Sequence, residues 1–326
     1  MNKKQRQDNW TNYWKSNSTD SCRDGIKAEL SELDNFWAET SAMIKENNRI
    51  LDLCTGKGDV IKQLIKYQSS EDKKVLGHFT GVDLSDIDKT TVEDQFEKYK
   101  ANVDFRYGIN ISELPFEAGV FDLITSQFGV EYALGGAVLK EVCRVMDQTG
   151  AARFAVHHKE SALVTVAKEE IKHIDLLLAK DGYFDSVNNL IPIFSKLRNP
   201  ANAKKINKDN NATRAREHFN NESQKVVKQA ENSSVPDLLQ NSLRFSRHIF
   251  DLAKIKGRSV AKNEYSRYKN ELNLSKERLL ELITAAMDEA DVKKLEEDML
   301  TYGKQITKKE ELKNDGKIVA WGIEIS

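Results

Sequence analysis

The stretch RILDLCTGKGDVIKQLI, residues 49–65, decides the fold. Its first part, residues 49–54, is a short apolar run that predicts a buried strand. Residues 60–67 repeat their apolar positions with the period of an amphipathic helix. Between the two, Gly56 and Gly58 allow the backbone to turn tightly and to approach a ligand closely. The stretch therefore predicts a strand, a ligand-binding turn and a helix.

The same alternation continues along the chain. Further strands are predicted over residues 78–84, 103–107, 120–126 and 151–157, and helices over 85–100, with Ser85 as N-cap, and 136–146. Strands that alternate with helices favour a parallel sheet covered on both faces. The last residues read as a β-hairpin whose turn is Asn314-Asp315-Gly316.

This pattern predicts four parts: N-terminal helices that form a lid over residues 1–48, a ligand-binding core over 49–160, a helical insertion or cap over 161–302, and a hairpin over 303–326 that completes the core sheet. Within the insertion, helices are predicted over 161–180, 236–256 and 275–302. The insertion is long enough to form a layer of its own.

The composition limits where the protein works. The 326 residues carry a formal net charge of −1 and are 39% hydrophobic, a balance typical of globular domains. No apolar run approaches the ~20 residues that cross a bilayer, and the N-terminal residues lack the apolar core of a secretory signal. The three cysteines are scattered, which favours a reducing compartment. We therefore expect a cytoplasmic protein without a membrane partner.

The glycine turn distinguishes between ligand classes. A dinucleotide site requires a third glycine where Ile61 stands, and no phosphate loop of the G-x-x-x-x-G-K-[ST] type occurs. S-adenosylmethionine (SAM) instead needs a glycine turn and an acid at the end of the second strand for the ribose hydroxyls. Asp83 provides that acid, at the strand edge where open α/β sheets bind ligands.

Five motifs in order resemble class I SAM-dependent methyltransferases. They are Leu51–Gly58, Gly81-Val82-Asp83, Asn110–Phe116, Phe121–Ser126, and Glu141–Met146 with Thr149-Gly150. The spacing of the first two, and Gln127-Phe128-Gly129 after the fourth strand, is similar to the ubiquinone and menaquinone methyltransferases. The resemblance implies a Rossmann-like α/β fold with a seven-stranded, mostly parallel sheet, SAM as cofactor and S-adenosylhomocysteine as product.

The resemblance also implies a set of cofactor-binding residues. Cys54 stands where the family has a glycine, and Asn110 stands where it usually has the acid that contacts adenine, a role that an amide oxygen can also fill. Asp52 is expected to orient the glycine turn and the methionine amino group; a hydrogen bond confined to the turn is the alternative. The cofactor-binding residues are Asp52, Cys54, Thr55, Gly56, Gly58, Asp83, Leu84, Asn110, Ile111 and Gln127.

Candidate catalytic and substrate-binding residues lie at the same edge. His157 and His158 end the fifth strand, and because strand residues alternate faces, one imidazole is expected to point into the cleft as a general base. A structural hydrogen bond is the competing interpretation. The substrate side is assigned to Trp10, Tyr13, Trp14, Glu131 and Tyr132, although aromatic residues at helical spacing also pack in cores. The scattered histidines and cysteines predict no metal site.

Residues 196–270 contain 17 lysines and arginines but 7 acidic residues. Such a run is either a solvated helical face or a surface for an acidic partner. We expect a SAM-dependent methyltransferase that modifies an oxygen or nitrogen of a small molecule, either neutral or anionic. The alternatives are an RNA or protein methyltransferase that uses the basic insertion, and a SAM-binding regulatory module without catalysis.

Overall fold

The computed structural model describes residues 3–16, 31–68 and 75–326. The strands of its single sheet are β1 Arg49–Leu53, β2 His78–Asp83, β3 Val103–Tyr107, β4 Phe121–Gln127, β5 Met146–His157, β6 Ile306–Asn314 and β7 Lys317–Ile325. The helices are α1 Lys3–Ser16, α2 Ser31–Ala42, α3 Asp59–Gln68, α4 Lys89–Glu93, α5 Gly136–Val145, α6 Ala162–Leu178, α7 Tyr183–Lys196, α8 Ala203–Asn207, α9 Asn210–Glu231, α10 Asp237–Lys256, α11 Arg258–Ala285 and α12 Glu289–Leu300.

The sheet has seven strands in the order β3-β2-β1-β4-β5-β7-β6. Strands β1 to β5 pair in parallel, whereas β7 runs antiparallel to both β5 and β6. The two hairpin strands meet at Asp315 and Gly316, whose φ angles of 48° and 74° are the left-handed pair that a two-residue turn requires. The predicted fold class is therefore confirmed.

Helices cover both faces of the sheet, as the near-continuous apolar strands require. On one face, the side chain of Ile50 in β1 packs with Trp37 of α2 and Leu64 of α3. On the other, Leu51 packs with Val142 of α5. Side chains along β1 point alternately to the two faces of the sheet. The single acid of β1, Asp52, therefore shares a face with Ile50.

The chain divides into two compact units, residues 1–165 with 281–326 and residues 166–280. The second unit is shorter than the predicted insertion of residues 161–302. The reason is α12, which buries Val292, Leu295 and Met299 in the core of the sheet. The helix predicted over 275–302 is in fact the end of α11 and the separate α12, which begins at an Asp288 capping box.

The second unit has its own aromatic core. Tyr183, Phe184 and Tyr265 are buried together with aliphatic side chains from α6, α7, α9, α10 and α11. The Tyr183 hydroxyl lies 2.6 Å from Ser246 Oγ, and the Tyr265 hydroxyl donates to the Phe184 carbonyl. The aromatic side chains of the lysine- and arginine-rich residues 196–270 thus largely pack in this core, and the charged side chains lie on the surface around it.

The helix predicted over residues 85–100 was also wrong. Residues 85–100 form the short α4 and a 3₁₀ turn, Asp94–Tyr99, and the N-cap is Asp88, whose carboxylate accepts from the amide of Thr90. Ser85 does not cap this helix, because α4 begins only at Lys89; the Ser85 amide instead donates to Asp83 Oδ1. The N-terminal helices predicted over residues 1–48 correspond to α1 and α2, and residues 17–30 between them lie outside the described residues.

Candidate functional site

A cavity of about 240 Å³ lies at the carboxyl edge of the parallel strands, within the first unit. This is where an open α/β sheet binds ligands, because the strand order reverses between β1 and β4 and the loops diverge there. The cavity is lined from β1, β2 and β4 by their C-terminal residues and following loops, and from α1 on the outside. Its lining residues are Arg6, Gln7, Trp10, Trp14, Asp52, Cys54, Thr55, Lys57, Asp59, Val60, Asp83, Leu84, Ser85, Ile109, Asn110, Ile111, Gln127, Phe128, Gly129, Tyr132 and Ala133.

The glycine turn after β1 is held in one conformation by its neighbours. Gly56 and Gly58 have φ angles of 53° and 86°, in the left-handed region that favours glycine. The amide of Gly56 donates to Asp83 Oδ2 at 2.9 Å, and its carbonyl accepts from the Tyr107 hydroxyl at 3.1 Å. The indole of Trp14 lies directly on Gly56, where an added Cβ would stand 2.5 Å from the ring.

Asp83 is oriented by backbone donors. Its two carboxylate oxygens accept from the amides of Gly56 and Ser85 at 2.9 and 2.8 Å. The carboxyl group is 7% exposed, and burial raises its pKa above the ordinary value although both amide bonds act to lower it. Each oxygen keeps acceptor capacity toward the cavity, so the carboxylate can still receive hydroxyl donors.

Asp52 has one carboxylate oxygen without a partner. Oδ1 accepts from the hydroxyl of Thr125 at 2.8 Å, whereas Oδ2 is buried at the cavity wall and makes no hydrogen bond to the described residues. Burial raises the pKa of Asp52 from 3.8 to about 7. An unpaired buried carboxylate oxygen is costly, and a cationic ligand group in the cavity would satisfy it.

Cys54 occupies the position of the missing glycine in the left-handed conformation, with a φ of 55°. This costs a non-glycine residue roughly 1–2 kcal/mol. The Cys54 side chain packs on Gly129, where any Cβ would overlap the Cβ of Cys54. Burial raises the pKa of the thiol, which therefore stays neutral. The cysteine thus requires a glycine on the neighbouring loop, a coupling that the sequence does not reveal.

The loop after β3 forms the far wall of the cavity. Asn110 binds its own loop, since its amide nitrogen donates to Ser112 Oγ at 2.6 Å and its oxygen accepts from the Ser112 amide at 3.2 Å. Arg144 of α5 anchors the loop from outside through the carbonyls of Leu114 and Phe116. Arg144 also pairs with Glu141 at 2.7 Å, and Glu141 accepts from the Leu114 amide.

Neither histidine lines the cavity, which corrects the expectation that one imidazole points into the cleft. His157 is fully buried, with Nδ1 2.5 Å from Glu131 Oε1. Its ring lies behind two cavity residues, 4.5 Å from Phe128 and 5.7 Å from Tyr132 between centroids. His158 faces the other side of the sheet, where it packs at 4.7 Å on Trp321 and burial lowers its pKa.

Of the remaining candidate residues, some line the cavity and others do not. Trp10 and Tyr132 line the cavity with their rings 5.7 Å apart, while Tyr13 packs edge-on against Trp10 and Trp14. Glu131 is buried and does not line the cavity. The lining residues Thr55, Leu84, Ile111 and Gln127 were all predicted; Gln127 Oε1 also accepts from Trp37 Nε1 at 2.6 Å.

Sequence reasoning missed several cavity residues, among them Arg6 and Phe128. Arg6 lies one helical turn before Trp10 and two before Trp14, so the helical period of α1 could have identified it. Its guanidinium pairs with Glu281 at 2.9 Å. Phe128 has a φ of 51°, and no sequence signal indicates that a phenylalanine adopts this conformation.

Comparison with known proteins agrees with this geometry. Residues 31–195, just over half of the chain, match the ubiE/COQ5 methyltransferase family. The chain belongs to this family. The matched region contains the glycine turn, Asp83, Asn110 and both histidines, and it ends within α7, so that most of the second unit lies beyond it.

Two curated relatives illustrate the match of this ubiE/COQ5 family chain. It is 36% identical over 156 residues to the demethylmenaquinone methyltransferase of Lactococcus lactis subsp. lactis (strain IL1403), which covers 45% of this chain and 52% of that protein. It is 32% identical over 114 residues to the ubiquinone/menaquinone biosynthesis C-methyltransferase UbiE of Xylella fastidiosa (strain M23), or 35% of this chain and 44% of that protein. The chain thus spans about half the length of the curated relatives it matches.

Solved structures also resemble the chain. The Bacillus subtilis YcgJ protein matches with 22% identity over 45% of this chain and 59% of that chain, and the TM-score is 0.33, too low to bear on function. Among the described residues of the ubiE/COQ5 family chain, no helix is both long and apolar enough to span a membrane.

Proposed function

We propose that this chain binds SAM in the cavity and transfers its methyl group to a small molecule. The observation that carries the proposal is the pair of buried carboxylates, Asp52 and Asp83, at the cavity wall on either side of the glycine turn. Among the described residues, Asp52 Oδ2 has no hydrogen-bond partner, and an ammonium group of the donor would pair with it. Asp83, fixed by two amides, would accept the ribose hydroxyls.

The other walls suit the remaining parts of the donor. Leu84 and Ile111 present apolar side chains beside Asn110, which would form the adenine subsite. The main chain of Thr55 would lie along the methionine part, and the absence of a Cβ at Gly56 lets Trp14 close over the turn beside it. Arg144 keeps the adenine loop in place from outside the cavity.

SAM, when bound, supplies a methyl carbon made electrophilic by the sulfonium. The protein must hold the acceptor in line with that carbon and exclude water. Trp10, Phe128 and Tyr132 provide aromatic walls on the side where α1 covers the cavity, a surface that fits a planar aromatic acceptor. The helix α1 would act as the lid over both ligands.

The acceptor atom is the finer question. The sequence predicted oxygen or nitrogen as the acceptor atom, whereas the Xylella relative is named a C-methyltransferase. We propose a small aromatic acceptor, methylated on the ring or on a ring substituent. His157 is placed behind Phe128 and Tyr132, so with Glu131 it would position these rings and would not itself take a proton from the acceptor.

The first test is SAM binding by titration calorimetry, with Asp83→Asn as the variant. This isosteric change keeps an acceptor for one amide but loses the ionised pair of oxygens, so SAM affinity is expected to fall at least tenfold. The circular dichroism spectrum provides the control for folding. Unchanged affinity in a folded variant would contradict the ribose assignment.

The second test is transfer of labelled methyl from SAM into cell extract, separated into small-molecule, RNA and protein fractions. Label in a small aromatic product supports the proposal, and its NMR spectrum identifies the methylated atom. Label in RNA or protein would instead favour the second unit as a platform for a macromolecular substrate. SAM binding without any label would favour the regulatory module.

A further inference from the structure

Two distant segments of the second unit are strongly basic. Residues 196–208 and 254–262 together contain nine lysines and arginines and no acidic residue. The first segment follows the end of α7 and includes α8, whereas the second includes the last turn of α10 and the first turn of α11. Neither segment belongs to the cavity described above.

The structure brings the two segments together. The Arg198 guanidinium lies over Gly257, with Nη1 3.0 Å from the position that a Cβ would occupy there. Lys254 Nζ stands 5.7 Å from the centroid of the ring of Phe194, a residue in the last turn of α7. The side-chain amide of Asn202 donates to the Lys196 carbonyl, and this hydrogen bond holds the residues before α8 against the end of α7. We call residues 196–208 and 254–262 the basic corner.

The charges of the basic corner are not compensated. Elsewhere in the second unit lysine and arginine side chains pair with acids, as in Lys225–Glu222 and Arg267–Glu264. Within the described part of the chain, the cations of the basic corner make no ion pair, and all except Lys262 are exposed. Like charges held together repel one another, so this arrangement costs stability unless an anionic partner meets it.

The basic corner also exposes aliphatic side chains among its cations. Ile255 is 70% exposed in the last turn of α10, between Lys254 and Lys256, and Val260 is 44% exposed just beyond Gly257. Lysine and arginine around protruding aliphatic groups fit an anionic bilayer surface, which takes the charges at its headgroups and the apolar groups at the acyl boundary. Single-stranded nucleic acid would favour aromatic residues for stacking, and neither segment contains one.

We propose that the basic corner docks the protein on an anionic membrane surface. Ile255 enters the boundary between headgroups and acyl chains, while Lys254, Lys256 and Arg258 face the headgroups. Such peripheral binding needs no spanning helix, and it revises the expectation that the protein has no membrane partner. The proposal is independent of the methyl-transfer function, because it uses no residue of the cavity.

The test is cosedimentation of the full chain with phosphatidylcholine vesicles, with and without phosphatidylserine, at low and high salt. We expect binding only to the vesicles with phosphatidylserine, and weaker binding at high salt. Lys256→Glu changes the charge by two and should lower the partition coefficient roughly twenty-fivefold, at about fivefold per charge. Ile255→Ser leaves the net charge unchanged, and it should also lower the partition coefficient.

The end of α9 provides a matched control. Lys228 lies in the last turn of that helix and Val227 beside it is 41% exposed, the same pair of residue types as at the end of α10. Lys228→Glu and Val227→Ser should leave vesicle binding within about twofold of the wild type, because ~1 kcal/mol per charge applies only near the membrane surface.

Three results would overturn the proposal. The first is absence of binding to vesicles with phosphatidylserine. The second is equal loss of binding in the α9 and α10 variants, which would indicate net charge alone. The third is retention by single-stranded RNA but not by vesicles, with no effect of Ile255→Ser, which would make the basic corner a nucleic-acid surface.

Discussion

Asp52→Asn is expected to stabilise the ligand-free protein. Burial raises the pKa of this carboxyl group from 3.8 to about 7, so the folded chain holds a proton that the unfolded chain releases between these pH values. The ionised form therefore destabilises the fold progressively from about pH 4 to pH 7, and fully above that. With about 1.4 kcal/mol for each pKa unit, the full cost is about 4 kcal/mol. Asparagine cannot ionise, so the variant avoids this loss of folding free energy.

Urea unfolding followed by circular dichroism at pH 4, 6 and 8 measures this difference. The variant should exceed the wild type by up to about 4 kcal/mol at pH 8, and the margin should shrink toward zero at pH 4. Asp94→Asn, an exposed position, is the control and should show no such trend. A margin that is absent at pH 8, or that does not change with pH, would refute the reasoning.

The same change should weaken SAM binding, if the ammonium of the donor pairs with Asp52. The wild type should lose about tenfold in SAM affinity between pH 8 and pH 6, because only the ionised fraction of Asp52 is competent. Asp52→Asn should bind weakly at both pH values. A wild-type affinity that is flat with pH would remove Asp52 from the donor site but would leave the stability prediction untouched.

Three further predictions concern the shape of the site. Gly56→Ala should lower the midpoint of thermal unfolding and abolish SAM binding, because its Cβ would stand 2.5 Å from the Trp14 indole at a φ of 53°; Trp14→Ala in the same chain should recover part of the stability, and no recovery would contradict the contact. Gly129→Ala should destabilise the wild type but be tolerated together with Cys54→Gly. A double-mutant cycle measured by urea unfolding should therefore show a coupling energy of about 1 kcal/mol or more, and additive effects would contradict the proposed contact. Arg144→Lys should weaken SAM binding several-fold while the protein stays folded, since lysine cannot reach two carbonyls and Glu141 together; unchanged SAM affinity would show that the adenine loop needs no brace.

Much of the fold could be predicted from local sequence. The strands of the parallel sheet are short apolar runs, and the parallel direction of β1 with β2 and of β4 with β5 follows from the helices that connect them. The hairpin turn was identifiable from Asp315-Gly316, because few residue pairs adopt two left-handed conformations in succession. Errors concern helices such as α12, where an apolar stripe shows that a face is buried but not which core receives it.

The candidate site was predicted in part for the same reason. Residues at the carboxyl ends of parallel strands meet at one edge, so the positions of Asp52, Asp83 and Asn110 in the cavity follow from topology. The histidines show the limit of this reasoning. Strand alternation states that His157 and His158 face opposite sides, but whether a ring reaches the cavity depends on the residues in front of it.

The sequence by itself determined the order of the strands along the chain, the glycine turn with its acid, and the family. These features are encoded by neighbours along the chain, through hydrophobic period and turn chemistry. Tertiary structure decided which oxygen of Asp52 lacks a partner, that Phe128 and Tyr132 screen His157, and that Arg198 meets Gly257. Burial, pKa and charge clustering depend on contacts between distant segments, and these arise only when the chain packs.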